Sequence, residues 1–192
     1  MHLVPNMILQ AYTAGIFPMA EHQDASEVYW FEPPMRAILP LDQRFHVSRS
    51  LKKFLRKSPF DIRFDTTFEA VIYGCADRPE TWINPAIREV FIELYRQGHG
   101  HCVEAWQDGK LVGGLYGIAI GSAFFAESMF SRTSNASKAC VAALVERLRA
   151  SNFQLCDVQF HNQHISQFGV TEISRDEYRQ ILKTATATPA QF

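Results

Sequence analysis

Long apolar runs are missing from this 192-residue chain. Nothing in it approaches the ~20 residues that a membrane-spanning helix needs. The opening stretch, MHLVPNMILQAYTAGIFPMA, lacks a basic lead-in and is interrupted by Gln10, Tyr12 and Pro18. It reads as neither signal peptide nor anchor, so a cytoplasmic protein is expected. Cysteine is sparse: Cys75, Cys102, Cys140 and Cys156 are the only ones, with no close pair. A zinc knuckle wants C-x2-C and a small secreted domain wants dense pairing, so neither is expected. Free thiols among apolar neighbours act as small core residues and suit a reducing compartment.

Phosphate cradles are absent as well. No P-loop or dinucleotide fingerprint occurs, and Gly113-Gly114 with Gly117 lies inside a strand pattern, which reads as close strand packing. The acetyl-CoA pattern Q/R-x-x-G-x-G/A meets Tyr95 where Gln or Arg belongs, before Gly98-His99-Gly100. His99 with His101, and His161 with His164, lack the supporting ligands of a metal site, so no metal is expected.

What is present is an ordinary globular composition, 47% hydrophobic and 20% charged. Net charge is −1, yet Arg44, Arg49, Lys52, Lys53, Arg56 and Lys57 fall in one stretch without an acid. The rest carries 13 basic against 20 acidic residues, making an acidic body with one basic block. A helix over 49–57 with Ser48 as its cap turns Leu51, Phe54 and Leu55 inward and lines Arg49, Lys52, Lys53 and Arg56 along one stripe. Such a stripe is either a solvated helix face or a contact for a phosphate backbone. Nearby aromatics, Trp30, Phe31 and Trp82, could stack on unpaired bases.

Apolar periodicity predicts further helices over 6–14 (capped by Asn6), from Asp65-Thr66-Thr67 onward with Thr66 and Glu69 as a capping box, over 85–97, over 136–150, and after Ser174. The period is two over 101–130, and Asp108-Gly109 marks a hairpin inside a three-strand antiparallel meander. Strands are expected at 60–64, 154–160 and 170–173. The fold class is therefore α+β, with a largely antiparallel central sheet flanked by helices.

Two polar positions are out of character with their strands. Asp157 and Gln159 are two apart among Leu155–Phe160, where an unpaired carboxylate would be costly. Either they satisfy local backbone groups or they act on a ligand. Glu127 stands alone in AFFAESMF and needs either a partner such as Arg132 or Arg88, or an aqueous pocket.

In order along the chain, GIFPM, WFEPPMRAILP, FHVSRSLKK, TWINPAI, LVGGLYGIAIGSAFFAESMFSRTSNASK and DVQF resemble the leucyl/phenylalanyl-tRNA–protein transferases, over about residues 7–183. The run ESMFSRTSNASK with the downstream D-x-Q is very specific to that family. The resemblance implies transfer of Leu or Phe, and Met less well, from aminoacyl-tRNA to the α-amine of proteins beginning with Lys or Arg. The new residue would mark them for N-degron degradation. It implies a GCN5-related N-acetyltransferase-like fold with no cofactor. Its domains would be a short N-terminal segment at 1–40, a catalytic domain at 41–183 and a flexible tail at 184–192, in a monomer.

Carried onto this chain, the family's catalytic pair is Asp157 and Gln159, and its acceptor-binding acid is Glu127. The donor side-chain pocket falls on Leu115, Phe124, Met129, Val141 and Leu144. The tRNA contacts fall on Arg49, Lys52, Lys53, Arg56, Lys57, Trp82 and Met19. Met19 stands where relatives often have Trp, so stacking on the terminal adenosine would be softer. Longer members carry more N-terminal chain, and this sequence starts near the end of that module. Two other classes compete: a CoA-dependent N-acetyltransferase of the same fold, disfavoured by Tyr95, and a non-catalytic RNA-binding module, which would leave Glu127, Asp157 and Gln159 without a purpose.

Overall fold

The computed structural model describes residues 3–57 and 59–192. Its frame is a seven-stranded sheet built from β3 (Met35–Ile38), β4 (Asp61–Phe64), β5 (Gly100–Gln107), β6 (Lys110–Ile120), β7 (Ala123–Ser131), β8 (Leu155–Gln159) and β9 (Thr171–Ser174). The spatial order is β4-β5-β6-β7-β8-β3-β9, and every pairing but β7 with β8 is antiparallel. The α+β architecture is the one expected. Asp108 and Gly109 both take positive φ, 50° and 72°, so the β5–β6 turn is the type I′ hairpin that the dipeptide predicts.

Helices cover both faces. One core gathers α1 (Pro5–Thr13), α3 (Phe68–Ala76), α4 (Pro85–Arg96) and α7 (Arg175–Ala187); the other gathers α2 (Arg49–Leu55) and α5 (Ala136–Ala150). A two-stranded ribbon, β1 (Phe17–Met19) with β2 (Tyr29–Phe31), and the short α6 (Gln163–Ser166) complete the chain. No helix among the described residues is long and apolar enough to cross a membrane. All four cysteines are free and buried.

Several local expectations are corrected. Helix α1 starts on Pro5 behind Val4, not on an Asn6 cap, because proline is pre-organised for the first helical position. Thr66 and Glu69 form no capping box. Instead the carboxylate of Glu104, reaching across from β5, accepts from the backbone N–H groups of Thr66 and Thr67 at 2.7 and 2.8 Å. A charged acceptor from another element replaces the local one. Arg44, counted in the basic block, is paired to Asp42 at 2.8 Å.

The segment expected to end at 40 contributes β3 to the main sheet, between β8 and the edge strand β9. The expected flexible tail at 184–192 is docked instead: α7 runs to Ala187, Ala185 is fully buried, and the Phe192 ring stacks 4.3 Å from His101. Packing of that part-buried ring against the core explains why the end of the chain is held.

Candidate active site

The parallel pairing of β7 with β8 stops after Phe125↔Asp157. Beyond that point the two strands diverge, and a cleft of about 440 Å³ opens between them. Its walls include Phe17, Met19, Arg78, Trp82, Glu127, Gln159 and Phe160. Four of the residues singled out from the sequence, Met19, Trp82, Glu127 and Gln159, are thus brought together from four separate elements.

Glu127 owes its position to a bulge. The register between β6 and β7 shifts where Tyr116 pairs with Ser128 and Gly117 with Ala126, leaving Glu127 unpaired between them. A bulge re-aims a side chain, here toward the cleft. Gly117 permits it, since a Cβ there would lie 2.2 Å from the Phe125 carbonyl oxygen. Neither Arg132 nor Arg88 pairs with Glu127. Its Oε1 accepts from the Tyr12 hydroxyl at 2.8 Å and from Gln159 Nε2 at 3.1 Å. Burial is the main influence on its carboxyl, which is pushed up to about 8 despite the Tyr12 hydrogen bond.

Gln159 ends β8 with φ 58°. The other non-glycine residues with positive φ are Asp65, Asp108, Asn135 and Asn152, all of the type that tolerates this region. A glutamine held there stores strain of the kind found at functional sites. What holds it is Asp157, whose Oδ1 accepts from the Gln159 backbone N–H at 2.8 Å. Its side-chain amide turns Nε2 toward Glu127 Oε1. The Gln159 Oε1 is left as the open acceptor.

Asp157 itself is fully buried and fully occupied. Arg36 meets it through Nε at 3.0 Å and through its terminal nitrogen at 2.8 Å, and Tyr178 donates at 2.6 Å. The Arg36 guanidinium lies 4.5 Å from the ring centroids of both Phe17 and Tyr178 and donates to the Gly15 carbonyl at 3.0 Å. The contact of Asp157 with Gln159, the other member of the expected catalytic pair, is to the backbone N–H and not to the side-chain amide. Arg36 and Tyr178 are the missed partners of Asp157, as Tyr12 is the missed partner of Glu127. A lone Arg in the apolar run Met35–Leu39 was the available signal, since a buried charge implies a buried partner.

Beside the cleft lies a smaller apolar pocket of about 70 Å³, reached past Glu127 and Met129. Leu115, Met129, Val141 and Leu144 line it as expected, with Leu39 and Ile165 added. Phe124 does not; it is fully buried and stacks 5.4 Å from Phe192.

The basic block sits apart from the cleft. Arg49, Lys52, Lys53, Arg56 and Lys57 are all exposed on or just after α2. Among the described residues none of them enters an ion pair. Lys52 and Arg56 border a separate groove of about 600 Å³ between α2 and α5. No cluster of metal-binding side chains occurs among the described residues.

The leucyl/phenylalanyl-tRNA protein transferase family model matches residues 38–183, and the model of that family's N-terminal domain matches residues 1–34. The chain belongs to this family. A leucyl/phenylalanyl-tRNA–protein transferase from Gloeobacter violaceus is 54% identical over 190 residues, covering 99% of this chain and 97% of its own. One from Paramagnetospirillum magneticum is 53% identical over 194 residues, covering 99% and 92%. Among solved structures, a ribosomal-protein-alanine N-acetyltransferase from Brucella melitensis biovar Abortus 2308 is 15% identical, covers 64% of this chain with 90% of its own, and has a TM-score of 0.42. Membership of the family makes the chain an aminoacyltransferase that draws on aminoacyl-tRNA.

Proposed function

We propose that the protein moves Leu or Phe from aminoacyl-tRNA to the α-amine of proteins whose first residue is Lys or Arg, in the cytoplasm, as the tagging step of an N-degron pathway. The observation that supports this reading is that Glu127 and Gln159 line the same cleft as Trp82 and Met19. The terminal adenosine packs against Trp82 and Met19, and its aminoacyl side chain enters the small pocket of Leu115, Met129, Val141 and Leu144. An apolar slot separates Leu from polar residues readily, but one methylene changes affinity by only ~1–3 kcal/mol, so leakage to Met follows.

The incoming amine donates one N–H to the free Gln159 Oε1, and its lone pair attacks the ester carbonyl. An amide oxygen is too weak a base to take the proton, so its part is orientation, and proximity supplies much of the rate. Collapse of the tetrahedral oxyanion breaks the ester C–O bond. One proton passes from the amine to the departing ribose oxygen, and Glu127, with a carboxyl near 8, is matched to relay it. The reaction converts an activated ester into an amide, so it needs neither ATP nor metal. The exposed cations of α2 hold the phosphate backbone of the tRNA.

Radiolabelled Leu-tRNA is incubated with one peptide beginning with Arg and one beginning with Ala, beside a ribonuclease-treated control and an acetyl-CoA arm. Label is expected only on the Arg peptide and only with intact tRNA. Transfer from acetyl-CoA alone would overturn the reading in favour of an N-acetyltransferase, and tRNA binding without transfer would leave a binding module.

A further inference from the structure

A second groove, of about 620 Å³, lies behind the lip of the cleft and has no part in the reaction as described. Its lining includes Asp24, Tyr73, Gly74, Asp77, Arg88 and Arg132. Residues of the two cavities touch each other. Phe130 faces the cleft, while Gly74 on the groove side packs so closely on that ring that a Cβ would stand 2.7 Å from it. The neighbours Asp77 and Arg78 likewise divide between groove and cleft.

Tyr73 is the feature that needs an explanation. It is 51% exposed although it belongs to a helix whose other large apolar side chains are buried, and Arg88 holds its guanidinium 4.6 Å from the ring centroid. An aromatic face flanked by arginine is the usual platform for an unpaired base. Arg78, exposed at the cleft lip with Trp82, has among the described residues only the Ser128 hydroxyl at 3.2 Å as its side-chain partner. Arg132 is shared with Asp77 at 3.6 Å. Asp24 supplies an acceptor, and a carboxylate accepts well from the exocyclic amine of cytosine.

We infer that this groove takes the cytidine that precedes the terminal adenosine of aminoacyl-tRNA. Its base stacks on Tyr73, its exocyclic amine donates to Asp24, and the phosphate joining the two nucleotides meets Arg78. The inference rests on the transferase reading above, because it needs the adenosine in the first cleft. The order of the two cavities then follows the order of the last two nucleotides.

The test compares kcat/KM for transfer from 3′-leucyl adenosine, from 3′-leucyl cytidylyl-adenosine and from its uridylyl counterpart, with Leu-tRNA as a fourth donor. The expected advantage of the cytidylyl donor over leucyl adenosine is roughly five- to a hundredfold, the range of one base stacked on an aromatic ring. Tyr73→Ala brings that ratio toward one, Tyr73→Phe keeps it, and Asp24→Asn erases the preference for cytidylyl over uridylyl. Unaltered melting temperatures confirm that the variants are folded. A ratio that Tyr73→Ala leaves unchanged overturns the inference while the transferase reading stands. An unchanged ratio together with a raised KM for the peptide hands the groove to the acceptor. Transfer from none of the four donors by the unaltered protein would instead sink the reading beneath it.

Discussion

Two carboxylates lie on strands one apart in the same sheet and live in opposite circumstances. Glu104 on β5 is fully buried and surrounded by donors: the Thr66 and Thr67 backbone, the Thr66 hydroxyl, and the Trp106 indole at 2.8 Å. Burial on its own would raise its pKa, yet hydrogen bonds from Thr66, Trp106 and Thr67 hold it below the usual carboxylate value. Glu127 on β7 is part-buried at the cleft, and its two donors, Tyr12 and Gln159, share one oxygen. Burial wins there, and its carboxyl rises to about 8. The number of donors separates a carboxylate that staples a helix start from one left with capacity for a substrate.

The sharpest way to break this comparison is to neutralise each acid in turn. Glu127→Gln keeps the shape and removes the titrating group; transfer from Leu-tRNA to an Arg peptide is expected to fall about 100-fold or more. Above about pH 8, where the wild-type carboxyl is ionised, its melting temperature should stay level or rise, because a poorly solvated charge has been removed. Glu104→Ala should do the reverse, costing roughly 2–4 kcal/mol in a urea titration by stranding the Thr66, Thr67 and Trp106 donors, with activity per folded molecule retained. If Glu127→Gln unfolds the protein and Glu104→Ala silences it, the two roles have been exchanged.

A milder handle is pH. The folded-state pKa of Glu127 lies above that of an unfolded glutamate, so the native state holds a proton that the unfolded chain has lost between about 4.5 and 8. That contribution is complete below the lower value and declines as pH rises toward 8. At about 1.4 kcal/mol per pKa unit the decline amounts to a few kcal/mol. Urea midpoints at a series of pH values, wild type against Glu127→Gln, isolate it; parallel curves would show that Glu127 titrates normally.

How far the sequence carried this picture differs between the two regions. The meander with its Asp108-Gly109 turn, and the helix over 136–150, were legible because each depends on a local pattern. Glu127 and Asp157 were legible as anomalies, acids in apolar runs. Their partners were not. Arg36 is 121 residues from Asp157 and Tyr12 is 115 from Glu127, so no spacing rule relates them. The Glu104 cap was missed for the same reason, a partner 38 residues away having displaced the local Thr66–Glu69 arrangement. Phe124 and the tail failed together: one long-range stack with Phe192 closes the space a pocket residue would face and pins the end of the chain.

The smallest expected effect concerns the region with the weakest packing. Leu51 is the only residue of α2 that is fully buried, and the helix meets the cleft nowhere, so its lysines can affect transfer only through the tRNA. Lys52→Ala with Lys53→Ala should leave stability unchanged and weaken tRNA binding modestly at low salt. The plot of log affinity against log salt should become shallower by roughly one to two units, since each lost phosphate contact removes a little under one released counterion. Transfer from 3′-leucyl adenosine, which has no backbone to hold, should be untouched by the same pair. An unchanged salt slope would remove α2 from the interface, and a slower reaction with the mononucleotide would show that the helix reaches the cleft by some route other than the nucleic acid.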